Sequence, residues 1–265
     1  MLESLLNQLQ PDVSDEEPEE APPAPEFVFE VPEVASPAPA DCRSILICSP
    51  GAATAFVLSA FSLKPVSWRF KLLKEPDRRF PPAPKPPRFF IAEGSGEAAT
   101  VVVLLQNKVP GDLANAWSEA LLESFAGARE VFLLDSIISS ELRLSAGQPR
   151  PQEPHLCGLW TAAWEAAAPS RAPHLGKAVA PLPCENVLES IAAALLTQCE
   201  AVRKPCMVAL ALQDGAHVVE RCLSGFELLC PALMDLGILP SDWSAPDYRE
   251  ALRAIQPPPS MSIYA

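Results

Sequence analysis

The sequence predicts an α/β fold: a mixed, mostly parallel sheet covered by helices on both faces, with a largely disordered, acidic, Pro-rich N-terminal arm and a free C-terminal tail. Three observations carry this. Short, mainly apolar runs at 44–48, 131–135 and 207–212 have the length and hydrophobicity of strands buried on both faces. Stretches with apolar residues three and four apart, at 52–61, 113–125 and 187–202, alternate with those runs. Residues 1–41 hold eleven acidic side chains and no Lys or Arg, so they supply nearly all of the formal net charge of −13 carried by the 265 residues.

Taken in order, Leu2, Leu5, Leu6 and Leu9 have helical spacing before Pro11, over a length too short to be stable without a partner surface. Residues 11–40 are mainly Pro, Ala and Glu, which bury too little apolar area to offset chain entropy. Phe27, Val28, Phe29 and Val31 interrupt them and predict an edge strand near 27–31, ended by Pro32. The run 44–48, the turn Ser49, Pro50, Gly51 and the stretch 52–61 read as strand, tight turn and helix. Residues 64–88 carry eight basic and two acidic side chains, and their prolines predict a stiff excursion from the core. Strands follow at 88–92 and 100–106, joined by a turn through Gly94 and Gly96, then a helix at 113–125 and the strand at 131–135.

Residues 143–183, rich in Pro and Ala, read as a long irregular connection with one short helix, in which Trp160 and Trp164 stand one helical turn apart as core or interface residues. Val187, Leu188, Ile191, Ala194, Leu195 and Val202 form one helical stripe, broken at Pro205 before the strand 207–212. Helices at 218–236 and 245–255 complete the body. The division is therefore an arm at 1–41, a single α/β domain at 42–255, and a tail at 256–265 whose first half is a proline spacer.

Composition excludes several functions. A body close to neutral offers no footprint for a phosphate backbone or an anionic membrane, and no segment reaches about 18 uninterrupted apolar residues. The N-terminus lacks a basic region before an apolar run. Eight cysteines (Cys42, Cys48, Cys157, Cys184, Cys199, Cys206, Cys222, Cys230) form no CxxC pair and read as reduced thiols, which suits a cytosolic or nuclear address. Ser49 occupies the strand-to-helix turn where α/β-hydrolases hold a nucleophile, but GxSxG is absent, as are GxxxxGK[ST] and GxGxxG, so the turn reads as an ordinary helix start. His155, His174 and His217 are too scattered for a metal or acid/base centre, His155 and Cys157 being the one pair able to share an ion. No catalytic residue, cofactor or metal is expected. The basic segment 64–88 reads as a solvated loop, with the acidic arm or an acidic partner as its alternative ligand.

The end of the chain is different. Ile263, Tyr264 and Ala265 present an apolar side chain, a phenol and a carboxylate beyond Pro257, Pro258 and Pro259, which suits insertion into a pocket with a basic residue at its base. With this tail, the block CRSILICSPGAATAFVLSAF (42–61) led by the strand near 27, and the block LPCENVLESIAAALLTQCEAVRKPCMVALAL (182–212), the sequence resembles the proteasome assembly chaperone 1 family. The resemblance covers about a third of the chain; the arm, the basic segment and the Pro- and Ala-rich middle match nothing in the family and inherit no role from it. It implies a non-catalytic chaperone for 20S proteasome assembly. That chaperone forms a heterodimer with proteasome assembly chaperone 2, promotes α-ring formation and prevents off-pathway ring dimerisation. In such a complex Ile263 would enter a pocket between adjacent proteasome α-subunits, Tyr264 would fix the backbone there, and the Ala265 carboxylate would pair with a pocket lysine. The rival reading is a hydrolase or nucleoside-binding enzyme using the Ser49 turn.

Overall fold

The computed structural model describes residues 25–32, 38–74, 84–93, 99–151, 154–171, 174–213, 219–246 and 248. Strands are β1 (Glu26–Glu30), β2 (Cys42–Cys48), β3 (Leu63–Pro65), β4 (Arg69–Lys74), β5 (Arg88–Ala92), β6 (Ala99–Leu104), β7 (Glu130–Ile138), β8 (Leu156–Trp160), β9 (Ala180–Pro181) and β10 (Cys206–Gln213). Helices are α1 (Ala52–Ala60), α2 (Gly111–Ser124), α3 (Ala162–Arg171), α4 (Leu175–Ala178), α5 (Ser190–Ala201), α6 (Val219–Glu227) and α7 (Cys230–Asp235). Eight strands form one sheet in the order β3-β5-β6-β2-β7-β10-β8-β9, while β1 and β4 form a separate ribbon. The central strands β6, β2, β7 and β10 are mutually parallel, and antiparallel pairings enter at β3–β5, β5–β6 and β8–β10. The α/β sheet read from the sequence is therefore the observed one. Among the described residues no helix is long and apolar enough to cross a membrane.

The central strands are apolar through their middles because both faces are covered, and their side chains alternate between two cores. Leu46, Val102, Phe132, Leu134, Met207 and Ala209 point to one face, which α1, α3, α4, α6 and α7 cover. Ile45, Ile47, Val101, Val103, Leu133 and Val208 point to the other, covered by α2, α5 and the β1–β4 ribbon. α1 starts from Gly51 at φ 103°, a backbone conformation that a β-carbon disfavours, so the tight turn after β2 depends on that glycine. α5 ends where Arg203 takes a left-handed conformation (φ 53°) and the Lys204 N–H closes onto the Cys199 carbonyl at 2.8 Å. The Thr161 hydroxyl then donates to the Lys204 carbonyl at 3.1 Å and accepts the Cys206 N–H at 3.0 Å, which fixes the entry to β10.

Several expectations need correction. The strand near 27–31 is present as β1, and its partner is β4 in the ribbon, which stands apart from the main sheet. Residues 64–74 are no excursion: β3 is the sheet's edge, and in β4 and the segment before it Trp68, Phe70 and Leu72 alternate onto the second core, Trp68 and Phe70 being buried, while 75–83 lie outside the described residues. The charges of that segment masked a period-2 pattern. Among its described residues the stretch 143–183 holds two strands and two helices, and Trp160 lies in β8 while Trp164 lies in α3, edge-on to Phe132 with centroids 5.0 Å apart. In β8 the sheet needs glycine at 158, since a β-carbon there would stand 2.5 Å from the Val208 carbonyl oxygen. Val187 and Leu188 precede α5 and Val202 follows it, so Val187 and Val202 are exposed rather than part of a stripe. Gly94 and Gly96, the helix expected at 245–255 beyond its first two residues and Tyr248, and all of 1–24 and 249–265 lie outside the described residues.

Candidate functional site

The docking residues read from the sequence, Ile263, Tyr264 and Ala265, lie outside the described residues, as does His217. What is described is the approach to them. The Trp243 indole N–H donates to the Ala60 carbonyl at the end of α1 (3.0 Å), and Trp243 and Tyr248 pack against the first core. Burial, with Glu227 beside it, pushes the Tyr248 phenol above its ordinary pKa. The segment leading to the tail is thus pinned across the face covered by α1, α6 and α7.

The second candidate is the Ser49 turn. β7 pairs with β2 only as far as Leu134 opposite Cys48, yet continues against β10 to Ile138 opposite Gln213. Residues 135–138 therefore form a ledge above the end of β2. The Ser49 N–H donates to the Leu134 carbonyl at 2.9 Å, the Thr54 hydroxyl donates to the Ser49 carbonyl at 3.0 Å, and the Leu105 N–H donates to the Cys48 carbonyl at 3.0 Å, tying β2, β6 and β7 together at this end. Above the ledge lies a cavity of about 670 Å³ bounded by residues following β6 and by the segment 186–192 that enters α5. Asp135 lines it, hydrogen-bonded to the Ser49 side chain and to the Ser136 N–H (2.8 Å), with the Lys108 ammonium nearby. Burial raises the Asp135 pKa despite these stabilising contacts.

Ser49 has a carboxylate partner, and among the described residues no histidine lines the cavity to take its proton as a triad histidine does. His174 is paired through Nδ1 with Asp235 (2.7 Å) between α4 and α7, and His155 stands before β8, its pKa lowered by burial. The Cys157 thiol, pushed up to about 11 by burial, donates to the Leu210 carbonyl at 3.7 Å. Among the described residues no three His, Cys, Asp or Glu side chains gather to hold a metal. The pairing of Asp135 with Ser49 was missed in the sequence. Its signal was there, an Asp closing an apolar strand, but the partner is brought in by strand order alone. The basic segment does meet the acidic arm, through the β1–β4 ladder and a Lys71 Nζ to Glu30 ion pair at 3.0 Å.

No protein-family model and no curated protein matches the sequence. Solved structures share the fold. The chain is similar to Pyrococcus furiosus PbaB, an archaeal proteasome activator, with a TM-score of 0.57 at 11% identity over 87% of this chain and 94% of that one. It is similar to PbaA of the same organism, an archaeal homolog of proteasome-assembly chaperone, with a TM-score of 0.53 at 14% identity over 86% of this chain and 87% of that one. A Thermoplasma acidophilum protein of unknown function gives a TM-score of 0.55 at 11% identity, covering 80% and 82% of the two chains. At such identities the likeness is one of fold.

Proposed function

We propose that this chain is a non-catalytic chaperone of 20S proteasome assembly, of the proteasome assembly chaperone 1 type. The observation that carries the reading is the fold shared over most of the chain with a proteasome activator and a proteasome-assembly chaperone homolog. In this reading the α/β domain at 42–255 binds proteasome assembly chaperone 2 as a heterodimer, in the cytoplasm and also the nucleus. Ile263, Tyr264 and Ala265 dock into a pocket between α-subunits, which promotes the α-ring and prevents its off-pathway dimerisation. The Pro257, Pro258, Pro259 spacer holds the tail off the body, so the tail adds effective concentration and register while the body supplies most of the affinity. The anchoring of Trp243 supports the reading, because it gives the tail a fixed point of departure.

The test is affinity capture from cell extract with the tagged chain and with a form lacking residues 263–265, the bound proteins being identified by mass. The intact chain is expected to capture α-subunits and a second chaperone, and the shortened form to keep the chaperone and lose α-subunits. Capture of neither by the intact chain overturns the reading. Should enzymatic activity appear that Ser49→Ala abolishes, the rival reading takes its place.

A further inference from the structure

The cavity beside Ser49 has no part in that function. In open α/β sheets ligands bind outside the carboxyl ends of the parallel strands, where neighbouring strands send their connections to opposite faces. β2 and β6 are such neighbours: β2 continues into α1 on one face and β6 into α2 on the other. The cavity sits there, and its volume of about 670 Å³ lies in the range of small-molecule sites, roughly 300–1,000 Å³.

Its chemistry is that of a polar anchor against an apolar wall. Leu105, Val109, Ile137, Leu188, Ile191 and Leu210 supply the wall. Asp135 is the anchor, and a carboxylate offers about four acceptor positions, of which the Ser49 side chain and the Ser136 N–H use two. Among the described residues the charged side chains lining the cavity are Lys108 and Arg143 against Asp135, Glu141 and Glu189, which is too balanced to select a phosphate and too dispersed to hold a cation. The fold also retains Asp135 where burial disfavours its charge, a pattern that collects at functional sites.

We propose that this cavity binds an uncharged, polyhydroxylated small molecule of sugar or nucleoside size, whose hydroxyls donate to the Asp135 carboxylate while its less polar face lies on the apolar wall. The site is separate from the C-terminal tail and performs no bond cleavage. A bound molecule of this kind links α5, β7 and the Ser49 turn, so occupancy stabilises the folded chain.

The test is saturation-transfer NMR on the full chain with a mixture of myo-inositol, ribose, glucose, adenosine and uridine, together with the monophosphates of the last two. At least one uncharged member is expected to bind with a Kd below about 1 mM. Asp135→Asn is expected to weaken it about tenfold or more, as loss of a hydrogen bond to a charged acceptor does. Burial holds the folded Asp135 pKa above its unfolded value, so its charge costs stability as pH rises through that window. The Asn variant should therefore fold at neutral pH with a Tm no lower than the parent. Val187→Trp, at an exposed cavity-lining position, gives a second block that leaves the core untouched and should also abolish binding. A chain lacking residues 263–265 should bind as the parent does, which separates this inference from the docking reading. Silence of every uncharged member at millimolar concentration overturns the proposal. So does undiminished binding by either variant, or a monophosphate that binds more tightly than its parent nucleoside.

Discussion

The two faces of the sheet are closed in different ways. On one face α1, α3, α4, α6 and α7 cover the sheet, and its rings meet in small, separate groups: Phe56 lies 5.5 Å from Phe226 and Trp164 stands edge-on to Phe132 at 5.0 Å. On the other, α2 and α5 pack against each other, and the ribbon lies beside α2 with a cluster of rings. Phe29 of β1 stands 5.8 Å from Trp68, 5.4 Å from Phe89 and 5.1 Å from Phe125, and Phe27 stacks on Phe70 at 5.3 Å. The first face is built by helices adjacent in sequence to the strands they cover. The second needs a strand from the acidic arm, so a segment with the composition of a linker is part of the core.

Removing residues 1–32 should break this most severely. Losing the β1 ladder and two aromatic side chains uncovers Phe70 and Trp68, and the urea midpoint should fall by the equivalent of about 4 kcal/mol or more. If stability is unchanged, the ribbon is an accessory and the faces are not equivalent. A finer comparison sets Phe29→Ala against Phe56→Ala. Phe56 is fully buried and Phe29 only partly, yet each should cost about 3 kcal/mol, because Phe29 touches four other rings. A value for Phe29 below about 0.5 kcal/mol would show that its rings are in contact without being tightly packed. The smallest effect belongs to Lys71→Ala. Its pair with Glu30 is more than two-fifths exposed on both sides, so under about 1 kcal/mol should be lost, and less in high salt.

The parallel centre was legible because its signals are local. The runs 45–48, 131–134 and 207–212 are apolar without interruption, and each lies in an observed strand. What stayed hidden depended on pairing. Trp68, Phe70 and Leu72 alternate clearly, but Arg69, Lys71 and the prolines beyond them give the segment the composition of a solvated loop until β1 is laid beside it. β8, with Gly158 at its centre, has little strand propensity, and it is a strand because β10 offers an edge that only a residue without a side chain can approach so closely. The Ser49 turn was visible as a turn. Its carboxylate partner was not, since Asp135 reaches it only because β7 outruns β2.

The ribbon also bears on how the chain forms during synthesis. β1 leaves the ribosome first, but its pairing partner β4 follows some forty residues later, and Phe125, against which Phe29 packs, comes later still. Until then Phe27 and Phe29 sit unpaired in an acidic, proline-rich stretch. Like charge there opposes association between nascent chains, and proline interrupts the strand edge that would otherwise invite it. The composition that resembles a mere linker in the finished protein thus acts as a temporary guard for a strand that must wait for its partners.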